Sequence, residues 1–401
     1  MAHAFERDVV VIGGGGHVGL PLAIGLADRG SSIAIYDISS PTVDTINRGV
    51  LPFSEPNAQP KLEKALANGR LVASADPAIV ATAAHVIVVI GTPVDEHLNP
   101  DPNAIPAALS DTEEYFRDGQ TLILRSTLFP GVTALVERMV ADLGLDIDVA
   151  FCPERIAEHK AMEELFSLPQ IVSSRTDRGR ERAAALFSTL TDEIVHLSPE
   201  EAELAKLFTN TWRYIKFAAA NQFYMMANDR GLDYERIREG LSRNYPRAKD
   251  LPGAGFAAGP CLFKDMMQLA AFSDNKFALG HSAMLVNEGL PLYVVSQLEK
   301  RYDLSHLTVG VLGMAFKGGS DDIRSSLSYK LRRVLKFKAK AVLCTDPHVT
   351  EETDPTLIPV EDVIAKADIL IIATPHAEYR GLVIDKPVAD VWNLLGNGVV
   401  V

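Results

Sequence analysis

The sequence predicts an α/β protein: two parallel-sheet domains joined by a long central helix. Three observations lead to that reading. In the first third of the chain, short apolar runs alternate with amphipathic stretches. From about residue 199 more than 25 residues pass without glycine or proline, and after about residue 304 the alternation resumes. Strand-length runs alternating with helix-length patterns are the mark of βαβ units and a parallel sheet. The expected division is therefore 1–198, 199–303 and 304–401.

The elements follow in order. "DVVVIGG" (8–14), "SIAIYD" (32–37), "HVIVVIGTP" (85–93) and "TLILRST" (121–127) are apolar enough to be strands covered on both faces. Segments 18–28 and 59–68 between them have helical spacing, and "DVAFCPER" and "QIVSS" within 148–176 continue the sheet. Ser198 and Glu201 form a capping box, a serine hydroxyl and a glutamate three residues on that satisfy each other's backbone donors at a helix start. Behind it, Leu204, Leu207, Phe208, Thr211, Trp212 and Ile215 fall on one side at helical spacing, so that side is expected to be covered. Lys206, Asn210 and Arg213 form a polar stripe opposite, either a solvated face or a functional one. After helical sequence to about residue 301, strands return at 307–313, 340–346, 368–375 and 387–392. "VVVIGGGGHVG" against "VGVLGMAFKGG", and "IGTP" against "IATP", suggest related folds at the two ends.

Composition excludes several classes of function. Of 401 residues, 47% are hydrophobic and 23% charged, which suits a globular protein with a substantial core. No apolar run approaches the roughly 20 residues a membrane span needs. The opening "MAHAFERDVVVIGG" reads as a charged lead into a strand and not as a signal peptide, so a cytoplasmic location is expected. Net charge of −13 argues against nucleic-acid or anionic-membrane partners. Cys152, Cys261 and Cys344 suggest no disulfide framework, and no Cys/His cluster has zinc spacing, so no metal is expected.

Two motifs carry chemistry. Gly14, Gly16 and Gly19 supply G-x-G-x-x-G directly after a strand and at the opening of a helix, and Asp37 ends the next strand eighteen residues later. In that context the motif is a Rossmann-like dinucleotide fingerprint. The glycines permit a tight turn and close approach of a pyrophosphate, and the acid accepts hydrogen bonds from ribose hydroxyls while repelling a 2′-phosphate. No arginine follows in "DISSPT", so NAD is favoured over NADP. Thr92, Pro93 and Thr127 end later strands on the same carboxyl edge of the sheet, where ligands bind in open α/β folds; helix capping is the alternative role for the threonines. The second motif is "GAGFAAGPCLFKD" (253–265). Small residues let a backbone and a ligand come close, and a thiol beside a lysine and an aspartate is a candidate nucleophile. A buried core cysteine at a loop-to-helix junction is the alternative.

With these pieces assembled, the chain resembles the UDP-glucose/GDP-mannose dehydrogenase family, which oxidises C6 of a nucleotide sugar twice. The resemblance runs in register through "GHVGLPLAIGLADRG", "LPFSEP", "GTP", "STLFPG", "CPERIAEH", "EAELAKLFTNTWR", "GAGFAAGPCLFKD", "VLGMAFKGGSDDIRSS" and "TDPHV". It implies an N-terminal NAD domain, a central helical segment that forms a homodimer, and a C-terminal nucleotide-sugar domain. By motif it makes Cys261 the nucleophile. It assigns Lys206 and Asn210 to the Lys-x-x-x-Asn pair, Asp265 to the aspartate after the loop lysine, Thr127 to the Ser-Thr strand end, and Glu154 and Glu158 to the two acids of the "PE…E" motif. His17, Val18, Thr127, Glu158, Lys264 and Arg324 are implied to reach NAD together with the fingerprint residues. Glu154, Lys206, Asn210, Gly259 and Lys317 are implied to reach the sugar nucleotide, with Arg247 lent across the dimer.

The implied reaction is a four-electron oxidation. Lys206 and Asn210 stabilise the C6 oxygen, Cys261 holds the aldehyde as a thiohemiacetal and then a thioester, and water activated through Asp265, Thr127 or Glu158 releases the acid. The sequence departs from the family pattern at His17 (usually tyrosine), Thr42 (lysine), Gln222 (glutamate), Gly318 (proline) and in Gly-Pro-Cys-Leu-Phe-Lys itself. "CPER" and "NTWR" resemble the N-acetylhexosamine-oxidising branch, and Lys264-Asp265 the glucose-oxidising one. UDP-glucose to UDP-glucuronate, as in polysaccharide biosynthesis, is the principal expectation, with UDP-N-acetylhexosamine, dTDP-glucose and GDP-mannose as alternatives. Two other readings compete: a two-electron β-hydroxyacid-type dehydrogenase, which has neither the cysteine nor the last α/β domain, and a nucleotide-sugar or NAD sensor that kept only the fold.

Overall fold

The computed structural model describes residues 5–92, 95, 100–399 and 401. Its contacts divide the chain into two compact units, Met1–Thr209 and Asn210–Val401. The first is built on an eight-stranded sheet: β1 Arg7–Ile12, β2 Ile33–Tyr36, β3 Leu71–Ser74, β4 Ala83–Val88, β5 Thr121–Leu124, β6 Asp148–Phe151, β7 Gln170–Ser174 and β8 Ile194–His196. Their spatial order is 3-2-1-4-5-6-7-8. All neighbours pair in parallel except β6 with β7. β1 pairs on both sides, Val9 opposite Ile33 and opposite His85, so the crevice where the order reverses opens beyond its carboxyl end.

Strand periodicity sets the core. Val9 and Val11 of β1 pack with Ile33, Ile35, Ile87 and Ile123 on one face, whereas Val10 and Ile12 pack with Ala34, Val86 and Val88 on the other. Both faces are covered by helices, which is why these strands read as continuous apolar runs and not as alternations. Each buried valine or isoleucine contributes about 1.5–3 kcal/mol. Short β3 and β8 were not foreseen: "LVAS" and "IVH" are too brief for a periodicity to register.

The second unit contains a four-stranded parallel sheet in the order 10-9-11-12: β9 Thr308–Leu312, β10 Ala341–Thr345, β11 Ile369–Ile372 and β12 Val388–Ala389. The two-ends similarity read from sequence has a structural counterpart at the end of the second strand. In the first unit Asp37 accepts the Gly15 N–H at 2.9 Å. In the second, Asp346 accepts the N–H groups of Met314 at 2.6 Å and Ala315 at 2.9 Å. Helices Leu262–Phe272 and Ala278–Arg301 precede this sheet, and Tyr224, Leu290 and Val294 share its core with Val309 and Ile371. No helix among the described residues is long and apolar enough to cross a membrane.

The central helix, Pro199–Asn228, corrects the face assignment made from sequence. Leu207 and Thr211 are buried as expected, but Phe208 is 52% and Trp212 56% exposed. Lys206 and Asn210 are buried, and only Arg213 of the polar stripe is exposed. The apolar residues were numerous enough to occupy two sides, and a hydrophobic count does not say which side meets the protein. The capping box forms as expected, with the Ser198 N–H donating to Glu201 at 2.8 Å and the Glu201 N–H to the Ser198 hydroxyl at 3.3 Å.

One turn in, Glu203 is 1% exposed and accepts the N–H groups of Gly131 and Thr133 and the Thr133 hydroxyl, at 2.7, 2.8 and 2.6 Å. It caps helix Val132–Asp142, whose first residues would otherwise carry unsatisfied buried donors. Glu203→Ala is expected to lower the stability of the first unit by about 2–4 kcal/mol in urea denaturation, with Glu203→Gln losing less.

Candidate active site

The fingerprint loop joins β1 to helix Gly19–Asp28. A Cβ on Gly19 would stand 2.7 Å from the Gly14 Cα, so only glycine lets the helix start against the turn. At Gly16 a Cβ would meet nothing closer than 4.0 Å; that side is open for a ligand. Val18 at the N-cap makes no side-chain capping bond, so the positive end of the helix is left for a pyrophosphate to approach. Asp37 takes the Gly15 N–H on one oxygen and the Ser39 N–H, at 3.0 Å, on the other. Each oxygen keeps acceptor capacity for a ribose hydroxyl. These residues fit NAD. His17 stacks on Phe53 with centroids 4.0 Å apart, which gives the substituted tyrosine position an aromatic partner.

The strand ends beyond the fingerprint are tied together. The Ser126 hydroxyl lies 2.8 Å from both the N–H and the carbonyl oxygen of Ile90, and the Thr92 hydroxyl donates to the Thr127 carbonyl at 2.9 Å. The two threonines are thereby brought together, whereas Pro93 lies outside the described residues. After β6, both oxygens of Glu154 are engaged. One takes the Arg125 Nε–H at 3.0 Å, and the other takes the N–H groups of Arg155 and Ile156 at 2.7 and 3.1 Å. Arg125, 1% exposed, also donates to the Cys152 carbonyl at 2.9 Å and to Gln170 Oε1 at 3.0 Å, and lies over the Phe187 ring. Sequence reading passed over this arginine because nothing in "TLILRST" marks a cation as buried. Glu158 follows, half-buried, in the segment that Glu154 anchors.

Lys206 and Asn210 lie one turn apart on the central helix, both buried. Asn210 Nδ2 donates to Asp265 Oδ2 at 2.6 Å, and Asp265 is completely buried. Among the described residues its other oxygen, Oδ1, accepts no hydrogen bond, and it faces Lys264 Nζ at 3.5 Å. A carboxyl oxygen with acceptor capacity to spare and a cation beside it is equipped to orient a water or a substrate hydroxyl. Cys261 occupies the N-cap of helix Leu262–Phe272, where the helix dipole favours an anion.

The three cysteines separate by environment. Cys261 is exposed, whereas burial pushes the Cys152 thiol up to about 12 and the Cys344 thiol up to about 11. The core alternative for Cys261 is thereby removed. Gly259 and Lys317 belong to a packed group with Phe316: Lys317 Nζ lies 5.5 Å from the ring centroid, and the ring sits against the Gly259 Cα. Arg324 forks onto Asp322, Nε to Oδ2 at 2.9 Å. Arg247 sits on an exposed turn, donating to the Tyr245 hydroxyl at 2.8 Å.

His348, His376 and Glu378 have ligand atoms within 4.8 Å of one another. Both nitrogens of His376 are committed, however. Nδ1 accepts the Gly319 N–H at 3.1 Å and Nε2 meets Asp346 at 3.0 Å, which leaves no lone pair for an ion.

Residues 7–191, 200–289 and 310–397 match, in order, the NAD binding, central and UDP binding domains described for the UDP-glucose/GDP-mannose dehydrogenase family. A UDP-N-acetyl-D-mannosamine dehydrogenase of Pyrococcus horikoshii is 30% identical over 93% of this chain and 90% of its own. A solved structure of UDP-D-ManNAc dehydrogenase from that organism superposes with a TM-score of 0.89 at 28% identity, covering 96% of each chain. A UDP-glucose dehydrogenase structure from Pyrobaculum islandicum gives 0.90 at 27% identity, covering 97% of this chain and 95% of its own. The NAD fingerprint and the three domains matched in order lead to one conclusion: this chain belongs to the UDP-glucose/GDP-mannose dehydrogenase family and is an NAD-dependent nucleotide-sugar dehydrogenase.

Proposed function

We propose that the chain oxidises the C6 hydroxyl of a UDP-N-acetylhexosamine, UDP-N-acetylmannosamine foremost, to the carboxylate. The observation that carries the chemistry is the 2.6 Å bond from Asn210 to Asp265, which follows the exposed Cys261 by one turn, with Lys206 buried one turn before Asn210 on the same helix. The sugar follows from the relatives, named UDP-N-acetyl-D-mannosamine dehydrogenases in Pyrococcus horikoshii and in Escherichia coli K12, the latter 27% identical over 91% of this chain and 93% of its own. The UDP-glucose expected from sequence becomes the second reading. Lys264-Asp265 after the cysteine and the likeness to the Pyrobaculum islandicum enzyme favour it.

NAD, when bound, supplies the hydride acceptor for both oxidations. The chain's own residues do the rest. The Lys206 side chain and the Asn210 amide hold the C6 oxygen as its proton passes to a water and hydride departs from C6 to leave the aldehyde, placing positive charge and a donor where alkoxide character develops. The Cys261 thiolate adds to the aldehyde carbon, and its oxygen takes a proton to give a thiohemiacetal. Loss of hydride from that carbon and of the hydroxyl proton leaves a thioester. Asp265 takes a proton from a water that attacks the thioester carbonyl. The C–S bond then breaks, the acid departs, and the proton returns to sulfur. Thr127 and Glu158 stay in this reading as groups that order the water and the cofactor. Glu154 holds the segment carrying Glu158 and transfers no proton.

The active form proposed is a homodimer. Phe208, Trp212, Phe223 and Met226 are 47–61% exposed along one side of the central helix, and Leu279, Leu285 and Leu292 are 46–69% exposed on helix Ala278–Arg301. Such an apolar surface suits a second copy of the chain. Arg247 would then complete the partner's site at the diphosphate.

Two experiments test these statements. In a panel of nucleotide sugars with NAD, followed by NADH absorbance, UDP-N-acetylmannosamine is expected to have the highest kcat/KM; Cys261→Ser should abolish steady-state acid formation while NAD still binds. Preference for UDP-glucose would transfer the assignment to the second reading, and normal acid formation by Cys261→Ser would refute the covalent route. For the dimer, Cys261→Ala and Arg247→Ala proteins, each inactive alone, are expected to regain up to about a quarter of wild-type activity when subunits are exchanged, the share set by random pairing. A mixture that stays inactive although mixed dimers form contradicts the shared site.

A further inference from the structure

The loop that ends in Cys261 is held at two glycines by two aromatic rings from the C-terminal sheet unit. A Cβ built on Gly255 would lie 2.2 Å from the Trp392 ring, and one on Gly259 2.6 Å from the Phe316 ring, so both rings touch the loop where it has no side chain. At Gly259 the backbone φ of +105° also favours glycine.

The two contacts differ in what stands behind them. At Gly255 the support is fixed. Asn221 of the central helix, fully buried, donates to the Gly255 carbonyl at 3.0 Å and accepts its N–H at 2.9 Å, like a neighbouring strand. Asn287 locks that amide from the other side at 2.9 Å, and the Trp392 indole N–H is committed to the Ala373 carbonyl at 3.0 Å.

At Gly259 the support belongs to a loop with its own charge. Phe316 sits in 313–326, held by its N–H to the Asp322 carbonyl at 2.9 Å; Ser325 of the same loop accepts the Gly259 N–H at 3.4 Å. The next residue, Lys317, sets its ammonium 5.5 Å from the Phe316 ring centroid. That ammonium is attracted to the ring face, and an anion that binds it competes for the same charge.

From this asymmetry we propose that Phe316 is a positioning residue, the mechanical link between nucleotide binding at the 313–326 loop and the placement of Cys261. Trp392 and Asn221 form the fixed end of the cysteine loop and Phe316 the adjustable end. A diphosphate drawn to Lys317 shifts the ammonium on the ring, the ring bears on Gly259, and the thiol two residues later moves with it. The inference rests on the proposed nucleotide-sugar substrate and adds a coupling that a family assignment does not contain. A displacement of the order of 1 Å at a nucleophile is worth about 100-fold in rate, so a half-buried phenylalanine outside the reacting group can govern turnover.

The test uses alkylation of Cys261 by iodoacetamide in the full-length protein, with UDP as the probe. Cys152 and Cys344 are buried, and Cys261→Ser supplies the blank. In wild type, saturating UDP is expected to change the alkylation rate at least about threefold, enough to register movement of the thiol. Phe316→Leu keeps apolar bulk but not the ring face. It should still bind UDP in calorimetry and NAD by fluorescence, yet its alkylation rate should no longer respond to UDP. Its kcat should fall about tenfold or more while KM changes far less, and Phe316→Tyr should restore both the response and the kcat. A Phe316→Leu protein that binds UDP and responds as wild type does would overturn the coupling, because shielding by the ligand itself would then explain the effect. So would a wild-type rate indifferent to bound UDP. Failure of wild type to bind UDP at all would instead strike the nucleotide-sugar reading, and the coupling with it.

Discussion

The hydrogen bond from Asn210 to Asp265 is the constraint on which the proposed chemistry depends. It joins the central helix, which carries Lys206 one turn earlier, to the helix that begins at Cys261. At 2.6 Å, between a side-chain amide and a fully buried carboxyl group, it is a short and direct bond. Its effect is positional. It sets the placement of Asp265, and of the helix that begins at Cys261, against the Asn210 amide without spending the second carboxyl oxygen. Removing the amide would leave a buried carboxyl group facing only the Lys264 ammonium at 3.5 Å among the described residues, a loss felt in stability as well as in turnover.

A second buried charge performs the matching task in the first unit. Arg125 stands at the end of β5, next to Ser126 and Thr127, and ties the strand to Cys152, Glu154 and Gln170. Burying a guanidinium is tolerable only with all-round partners, and here it has a carboxylate, a carbonyl, an amide oxygen and an aromatic face. The two buried polar groups hold strand ends and helix starts, the places where an α/β architecture exposes backbone to ligands. The apolar layers around them supply the bulk of the folding free energy but could not by themselves fix these loops to within an ångström.

Much of this was legible in the sequence, and the reasons differ from element to element. The fingerprint was readable because turn, helix start and ribose acid sit at fixed offsets along the chain, and the strands of both sheets because double-sided burial leaves uninterrupted apolar runs. The cysteine was marked by its glycines. The central helix was visible as a helix, yet its orientation was not: Phe208 and Trp212 have the same period as the buried residues, and only packing shows that Lys206 and Asn210 face inward. Arg125, Asn221 and Trp392 escaped for a related cause. Each acts on a partner 19 to 45 residues away, Glu154 and Gln170, Gly255, and Ala373, and no local pattern encodes such a pairing. The sugar is not legible in Lys264-Asp265, because in the structure Asp265 bonds Asn210; the relatives named UDP-N-acetyl-D-mannosamine dehydrogenases favour the N-acetylhexosamine alternative.

The central claim is that one site carries an alcohol through to an acid by way of Cys261. The most direct measurement is the number of NADH formed per UDP-N-acetylmannosamine consumed, read by absorbance against chromatography of the nucleotide sugar under limiting substrate. A ratio of about two is expected, with no free aldehyde trapped by added semicarbazide. A ratio of about one, with aldehyde accumulating in the trap, would contradict it and would make this chain a two-electron dehydrogenase built on the same fold.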